Sequence, residues 1–79
     1  LEPVSNRAIL FRMLSNLKLI YLHQNDMDRM VRVIDRLVQV DPRAAEEWRD
    51  RGLLHLGAQR WRAALHDLTN YVTLRPEAP

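Results

Sequence analysis

The chain repeats itself at an interval of 34 residues. At that offset its two halves share four identities: Leu19 with Leu53, Leu22 with Leu56, Val38 with Val72, and Pro42 with Pro76. Most other apolar positions of the first half also meet apolar positions of the second. A repeat of this length is one supersecondary unit, which must stack on its neighbour to bury an apolar face. We therefore expect a single domain over residues 1–79, with one repeat over about 6–42 and another over about 43–76.

Each repeat divides into two segments whose apolar residues are spaced three and four apart, the period of an amphipathic helix. The predicted helices cover about residues 6–23, 27–40, a stretch from just after Pro42 to Leu56, and 61–74. No segment alternates with the period of a β-strand. Because short turns join the helices, neighbouring helices should be antiparallel. The predicted fold is all-α, with two antiparallel helix-turn-helix hairpins forming a short right-handed solenoid of four helices.

Turn and cap residues separate these helices. Ser5 or Asn6 should cap the first helix and Asp26 the second, because their side chains can accept a hydrogen bond from the first helical turn. Asn25 suits a left-handed turn before Asp26. Gly57 should end the third helix in a left-handed conformation, which is sterically unfavourable for residues that have a side chain.

The 34-residue unit resembles the tetratricopeptide repeat, whose pattern is W-x2-L-G-x2-Y, then A-x3-F, then P. Arg51 and His55 depart from this pattern in the second repeat, and Lys18 replaces the glycine in the first. The pattern positions of the second repeat are Trp48, Gly52, His55, Ala64, Leu68 and Pro76, and Tyr71 is a further packing position. Those of the first repeat are Leu14, Leu17, Tyr21, Met30, Ile34 and Pro42.

The small residues of the pattern have a physical role. Gly52 and Ala64 should let the two helices of the second hairpin approach closely, with Trp48, Leu68 and Tyr71 filling the space around them. Lys18 fits the equivalent place only if its stem lies along apolar surface while its charge reaches water.

A narrower resemblance covers much of the chain. The stretches "LFRMLSNLK" (10–18), "IYLHQND" (20–26), "RDRGLL" (49–54) and "AALHDLTNYV" (63–72) resemble the C-terminal repeats of bacterial transglutaminase-like proteins of the SirB type. The resemblance implies that the chain is a C-terminal fragment of a longer protein. In that family a transglutaminase-like domain precedes the repeats, and the resemblance implies that any catalytic activity belongs to that domain.

The residues themselves indicate neither catalysis nor a bound cofactor. Cysteine is absent, and the three histidines, His23, His55 and His66, lack the spacing of metal ligands. An acid–base set of Asp50, His55 and Asp67 is conceivable, but a separation of five residues places Asp50 and His55 on different faces of a helix. We therefore expect no catalytic residue, no metal site and no enzyme activity.

The charge pattern indicates no nucleic-acid or membrane partner. The formal net charge is only +2, and basic and acidic residues alternate along the helices as they do on ion-paired surfaces. Most aromatic residues occupy repeat core positions, where they cannot stack on bases. No apolar run is long enough to span a membrane.

A chain without cysteine is compatible with the cytoplasm, which is the location we expect.

The first helices of tetratricopeptide repeats line a concave face that binds peptides. The resemblance places a row of leucines there, edged by polar residues. The candidate interaction face comprises Arg12, Asn16, Leu19, Leu22, Arg49, Asp50, Leu53 and Leu56. Some family members use side chains of this face to bind the carboxylate of a peptide. At those positions this chain has Ser15, Leu19 and Asp50, so we do not expect it to bind a carboxylate in that way.

We expect a protein to cover this face: a peptide, a neighbouring domain of the parent protein, or a second copy in a homo-oligomer. In the alternative interpretation, the module is an accessory tail that supports an upstream transglutaminase-like or protease-like domain.

Overall fold

The computed structural model describes residues 6–76, which form four α-helices and no strand within that range. Helix α1 covers Asn6–His23, α2 Met27–Val40, α3 Ala45–Gly57 and α4 Trp61–Leu74. The all-α prediction is confirmed, and three of the helices have the predicted bounds. Helix α3 begins later than expected because the chain first turns at Asp41, whose side chain accepts a hydrogen bond from the Arg43 N–H at 3.1 Å.

The helices form two stacked hairpins with α2 at the centre. Helix α1 packs against α2, α3 packs against α4, and α2 also packs against α3. The buried core accordingly lies on α2, where Ile34 and Leu37 are fully enclosed. Half-buried residues of α1 and α3 cover this core from both sides; they are Phe11, Leu14, Leu17, Tyr21, Trp48 and Leu54. The stacked hairpins measure 47 × 32 × 19 Å, a flat and elongated shape.

The turns inside the two hairpins have the same geometry. Asn25 is left-handed as predicted, with φ 57°, and Asp26 caps α2 by accepting a hydrogen bond from the Arg29 N–H at 3.2 Å. In the second hairpin the left-handed residue is Gln59, with φ 63°. Gly57 ends α3 as predicted, but its φ is not positive, and the left-handed residue comes two positions later. The predicted cap at Ser5 lies outside the described residues.

The close approach predicted for the second hairpin is present. Gly52 is buried, and a methyl group there would lie 2.8 Å from Leu68 Cγ and 3.2 Å from Asp67 Cβ. Ala64 is buried as well. Trp48 anchors the start of α3 by donating its indole N–H to the Pro42 carbonyl at 2.8 Å. The contacts of Gly52 with Leu68 and Asp67 hold α3 close to α4.

Candidate functional site

Four leucines provide exposed apolar surface on the first helix of each hairpin. Leu19 and Leu22 of α1 are 52% and 46% exposed, and Leu53 and Leu56 of α3 are 51% and 43% exposed. Within each helix the two leucines are three residues apart and so lie on one side of it. We call these four residues the leucine face. Matching exposure in both repeats makes this surface a candidate for covering by another protein.

Lys18 connects the two helices that carry the leucine face. Its ammonium group donates hydrogen bonds from α1 to Glu47 at 2.8 Å and to Asp50 at 2.6 Å on α3, and its side chain is only 13% exposed. Burial lowers the pKa of Lys18, but the hydrogen bonds to the two carboxylates outweigh it and raise the pKa above the usual value. The expectation that this charge reaches water was wrong, because two carboxylates of the next repeat neutralise it instead.

The polar residues of the candidate interaction face precede the leucines on the same two helices. Arg49 donates to Asp50 at 3.1 Å, and its guanidinium carbon lies 5.9 Å from the centre of the Tyr71 ring. Hydrogen bonding to Asp50 raises the pKa of Arg49. Arg12 and Asn16 are exposed on α1. Asp50 therefore belongs to a network with Lys18 and Arg49.

A second charged cluster lies between α3 and α4. Asp67 is 2% exposed, and both of its carboxylate oxygens accept hydrogen bonds from Arg51, at 2.8 and 2.9 Å. A third guanidinium nitrogen of Arg51 donates to Asp35 of α2 at 2.7 Å. The guanidinium carbon also lies 5.0 Å from the centre of the Trp48 ring. Hydrogen bonding to Asp67 raises the pKa of Arg51 despite burial, so this residue joins three helices as a permanent cation.

Sequence reasoning missed this pairing, although the repeat carries a signal for it. At the offset of 34, Arg51 corresponds to Leu17 and Asp67 to Val33. An apolar pair in the first hairpin is therefore replaced by an ion pair in the second. Two charges of opposite sign that appear together at apolar repeat positions indicate a contact between them.

The histidines do not complete a catalytic set. His55 and His66 approach Asp67, with nitrogen to oxygen distances of 3.7 and 3.3 Å, but that carboxylate already binds Arg51 in bidentate fashion. Asp50 is bound to Lys18 at a different place. His55 is largely enclosed between α3 and α4 beside Asp67, and His23 is exposed.

Residues 6–76 contain no group of three or more histidine or acidic side chains arranged to hold a metal ion. Over the same range, no helix combines the length and the apolar character that a bilayer crossing requires.

One aromatic residue differs from the expectation that most lie in the core. Phe11 and Tyr21 pack against α2, but Trp61 is 61% exposed. Trp61 shares the outer side of α4 with Leu65 and Val72, which are also exposed. At the offset of 34, these three residues correspond to Met27, Val31 and Val38 of α2.

Comparison with known proteins decides the family. A family model described as "Tetratricopeptide repeat" matches residues 17–79. The chain belongs to the tetratricopeptide repeat family. The two hairpins are its repeats, and the fold predicted from the 34-residue interval is the family's fold.

The curated relatives are longer bacterial proteins. This tetratricopeptide repeat chain is 41% identical over 76 residues to a "UPF0162 protein" of Xylella fastidiosa (strain 9a5c), covering 96% of the chain and 27% of the relative. It is 32% identical over 79 residues to "UPF0162 protein YchA" of Escherichia coli (strain K12) and to "Protein SirB1" of Salmonella typhimurium, covering 100% of the chain and 29% of each relative. The resemblance to SirB-type proteins is thereby confirmed. The chain spans less than a third of these relatives, and no solved structure matches it significantly.

Proposed function

We propose that this tetratricopeptide repeat module binds a protein segment through the leucine face and has no catalytic activity of its own. The observation that carries the proposal is the exposure of about half of each leucine at matching positions of both repeats. Apolar side chains gain free energy when a partner removes them from water, by about 25 cal/mol per Å². The four leucines are the anchors in this proposal.

The ion pairs of Lys18 favour a preformed binding surface. Because they join α1 to α3, the spacing between the two pairs of leucines is fixed before a partner arrives. A preorganised surface loses less conformational entropy on binding.

The balance of charge beside the leucines favours an apolar anchor on the partner. Two cations, Lys18 and Arg49, already pair with two carboxylates, Glu47 and Asp50. No charge of this network is left over to select a charged anchor. The partner in our proposal is therefore an amphipathic helix or an extended peptide with apolar anchors, oriented by Arg12 and Asn16 at the border.

The remainder of a longer protein is the first place to look for this partner. The curated relatives are more than three times as long as the chain. We infer that residues 1–79 are one domain of such a protein, with repeats at about 6–42 and 43–76, and that the leucine face contacts another part of it.

Photo-crosslinking in the full-length protein tests the proposal and captures the partner whatever its identity. A benzoylphenylalanine in place of Leu53 should form crosslinks to protein in high yield. The same probe at Gln39, an exposed position of α2, should form few. A third variant has the probe at position 56 together with Leu19→Glu and Leu53→Glu. It should form no crosslinks, and its far-ultraviolet circular dichroism spectrum should remain helical. Equal yields at positions 53 and 39, or crosslinks that survive both glutamates, would contradict the proposal.

The length of the relatives also favours a second candidate, an accessory tail that supports the activity of another domain. Deleting residues 6–76 from the full-length protein would then lower its activity more than its thermal stability. Equal activity with and without the repeats would eliminate this candidate and leave the binding proposal intact.

A further inference from the structure

A shallow groove of about 340 Å³ runs between α1 and α2, lined by apolar residues and arginines. Its floor includes Leu14 and Leu17 of α1 and Val33 of α2. The three arginines of its edge, Arg29, Arg32 and Arg36, are three and four residues apart and so form one stripe along α2.

Two arginines of this stripe are free of ion pairs in the described part of the chain, although Asp28 lines a neighbouring depression together with Arg32. Arg29 has the Asp26 carboxylate 3.5 Å away, but Arg32 and Arg36 form no ion pair with any residue in 6–76. Both are exposed at the edge of the apolar floor. The groove thus combines an apolar base with unpaired cations, which is the complement of an amphipathic segment with acidic borders.

The second repeat shows how such a surface is covered. At the offset of 34, Leu14 corresponds to Trp48 and Leu17 to Arg51. There, α2 lies against the equivalent surface: Trp48 packs on the core of α2, and Arg51 binds Asp35 of α2 at 2.7 Å. The covering element is an amphipathic helix that supplies a carboxylate. Leu17 carries no charge in place of Arg51, so the cations of this groove are those of the arginine stripe. We propose that the groove between α1 and α2 binds an acidic amphipathic helix of another protein segment, whose carboxylates pair with Arg32 and Arg36.

A second copy of this chain is a poor occupant. The helix equivalent to α2 in the second repeat is α4, where Arg62 replaces Asp28 and Thr69 replaces Asp35. The acidic residue that α4 does carry, Asp67, is buried against Arg51. Stacking α4 of one copy on the groove of another would therefore supply no free carboxylate to the arginine stripe.

A nucleic acid also fits poorly. Phosphates could pair with Arg32 and Arg36, but they would leave the apolar floor without a partner. Single-strand binders combine a basic track with exposed stacking aromatics. The aromatic residue of this groove, Tyr21, is half-buried against the core of α2.

Fluorescence anisotropy with a designed probe tests the proposal on the 79-residue chain. The probe is a dye-labelled stapled helix of about 15 residues, with leucines three and four apart and glutamates beside them. A matched peptide replaces the glutamates by lysines. The acidic peptide should bind at least about tenfold more tightly than the basic peptide. Equal binding of the two peptides would overturn the proposal.

Charge reversals locate the site. Arg32→Glu with Arg36→Glu should weaken binding of the acidic peptide about tenfold. Arg43→Glu with Arg62→Glu gives the same net charge at exposed positions outside the groove and should leave binding nearly unchanged. Circular dichroism checks that both variants stay helical. An equal loss in both variants, or no loss in the first, would overturn the proposal.

The remaining occupants are tested in the same experiments. A labelled oligo(dT) that bound more tightly than the acidic peptide, and lost binding with Arg32→Glu and Arg36→Glu, would overturn the proposal in favour of nucleic acid. Dimerisation in sedimentation that those same changes abolished would overturn it in favour of a second copy. The groove is distinct from the leucine face, so Leu19→Glu with Leu53→Glu should leave binding of the acidic peptide unchanged.

Discussion

Gly52 and Gly57, the two glycines of the chain, occupy opposite kinds of environment. Gly52 lies where α3 meets α4, with Leu68 and Asp67 in the space that a side chain would need. Gly57 has no atom within 4 Å of the place where its side chain would be, and its φ is negative. The contact between α3 and α4 thus requires a small residue at position 52, whereas no contact requires one at position 57.

Alanine at each glycine should therefore have opposite effects on stability. Gly52→Ala should lower the free energy of unfolding by about 1–3 kcal/mol, because the added methyl group overpacks the contact with Leu68. Gly57→Ala should raise it by about 0.5 kcal/mol, because alanine loses less backbone entropy in a helix. Urea unfolding followed by circular dichroism measures both values. A Gly52→Ala chain as stable as the Gly57→Ala chain would show that α3 and α4 are not in close contact.

At the scale of the helices, the sequence predicts boundaries better than contacts. Periodic apolar residues define α1, α2 and α4, and Asp26 is a recognisable cap because capping depends on neighbours three residues away. The predicted start of α3 and the predicted left-handed turn of the second hairpin were both wrong. The repeat could have located this turn, because Gln59 comes 34 residues after the left-handed Asn25. The ion pairs of Arg51 and Lys18 depend on which turns of separate helices face each other, which no local pattern specifies.

The ion pair between α3 and α4 should be replaceable by the apolar pair of the first hairpin. Arg51→Leu alone leaves the buried Asp67 carboxylate without its guanidinium, which should cost about 3 kcal/mol of unfolding free energy. Adding Asp67→Val recreates the combination of Leu17 and Val33, and should restore stability to within about 1 kcal/mol of the starting chain. Urea unfolding of the single and double variants gives the coupling free energy. Additive losses would mean that the two residues do not act as a pair.

At the scale of the whole molecule, Lys18 is the charged link between the first helices of the two repeats, and its contribution depends on pH. Its pKa in the folded chain is raised above the ordinary lysine value of 10.5. The stabilisation is therefore complete below the unfolded pKa and is lost as the pH rises through the folded value. Since Glu47 and Asp50 accept hydrogen bonds from the ammonium group, the link weakens when that group loses its proton.

Comparison with Lys18→Met isolates the contribution of Lys18 from those of all the other groups, which both chains share. At pH 7 the variant should be less stable by about 1.5 kcal/mol, because two carboxylates lose a charged hydrogen-bond donor. This difference in unfolding free energy should stay constant up to about pH 10 and shrink above 10.5, as the amine of the original chain is deprotonated. Urea unfolding at a series of pH values measures it. A difference that did not change across that range would mean that the Lys18 stem, rather than its charge, joins the two repeats.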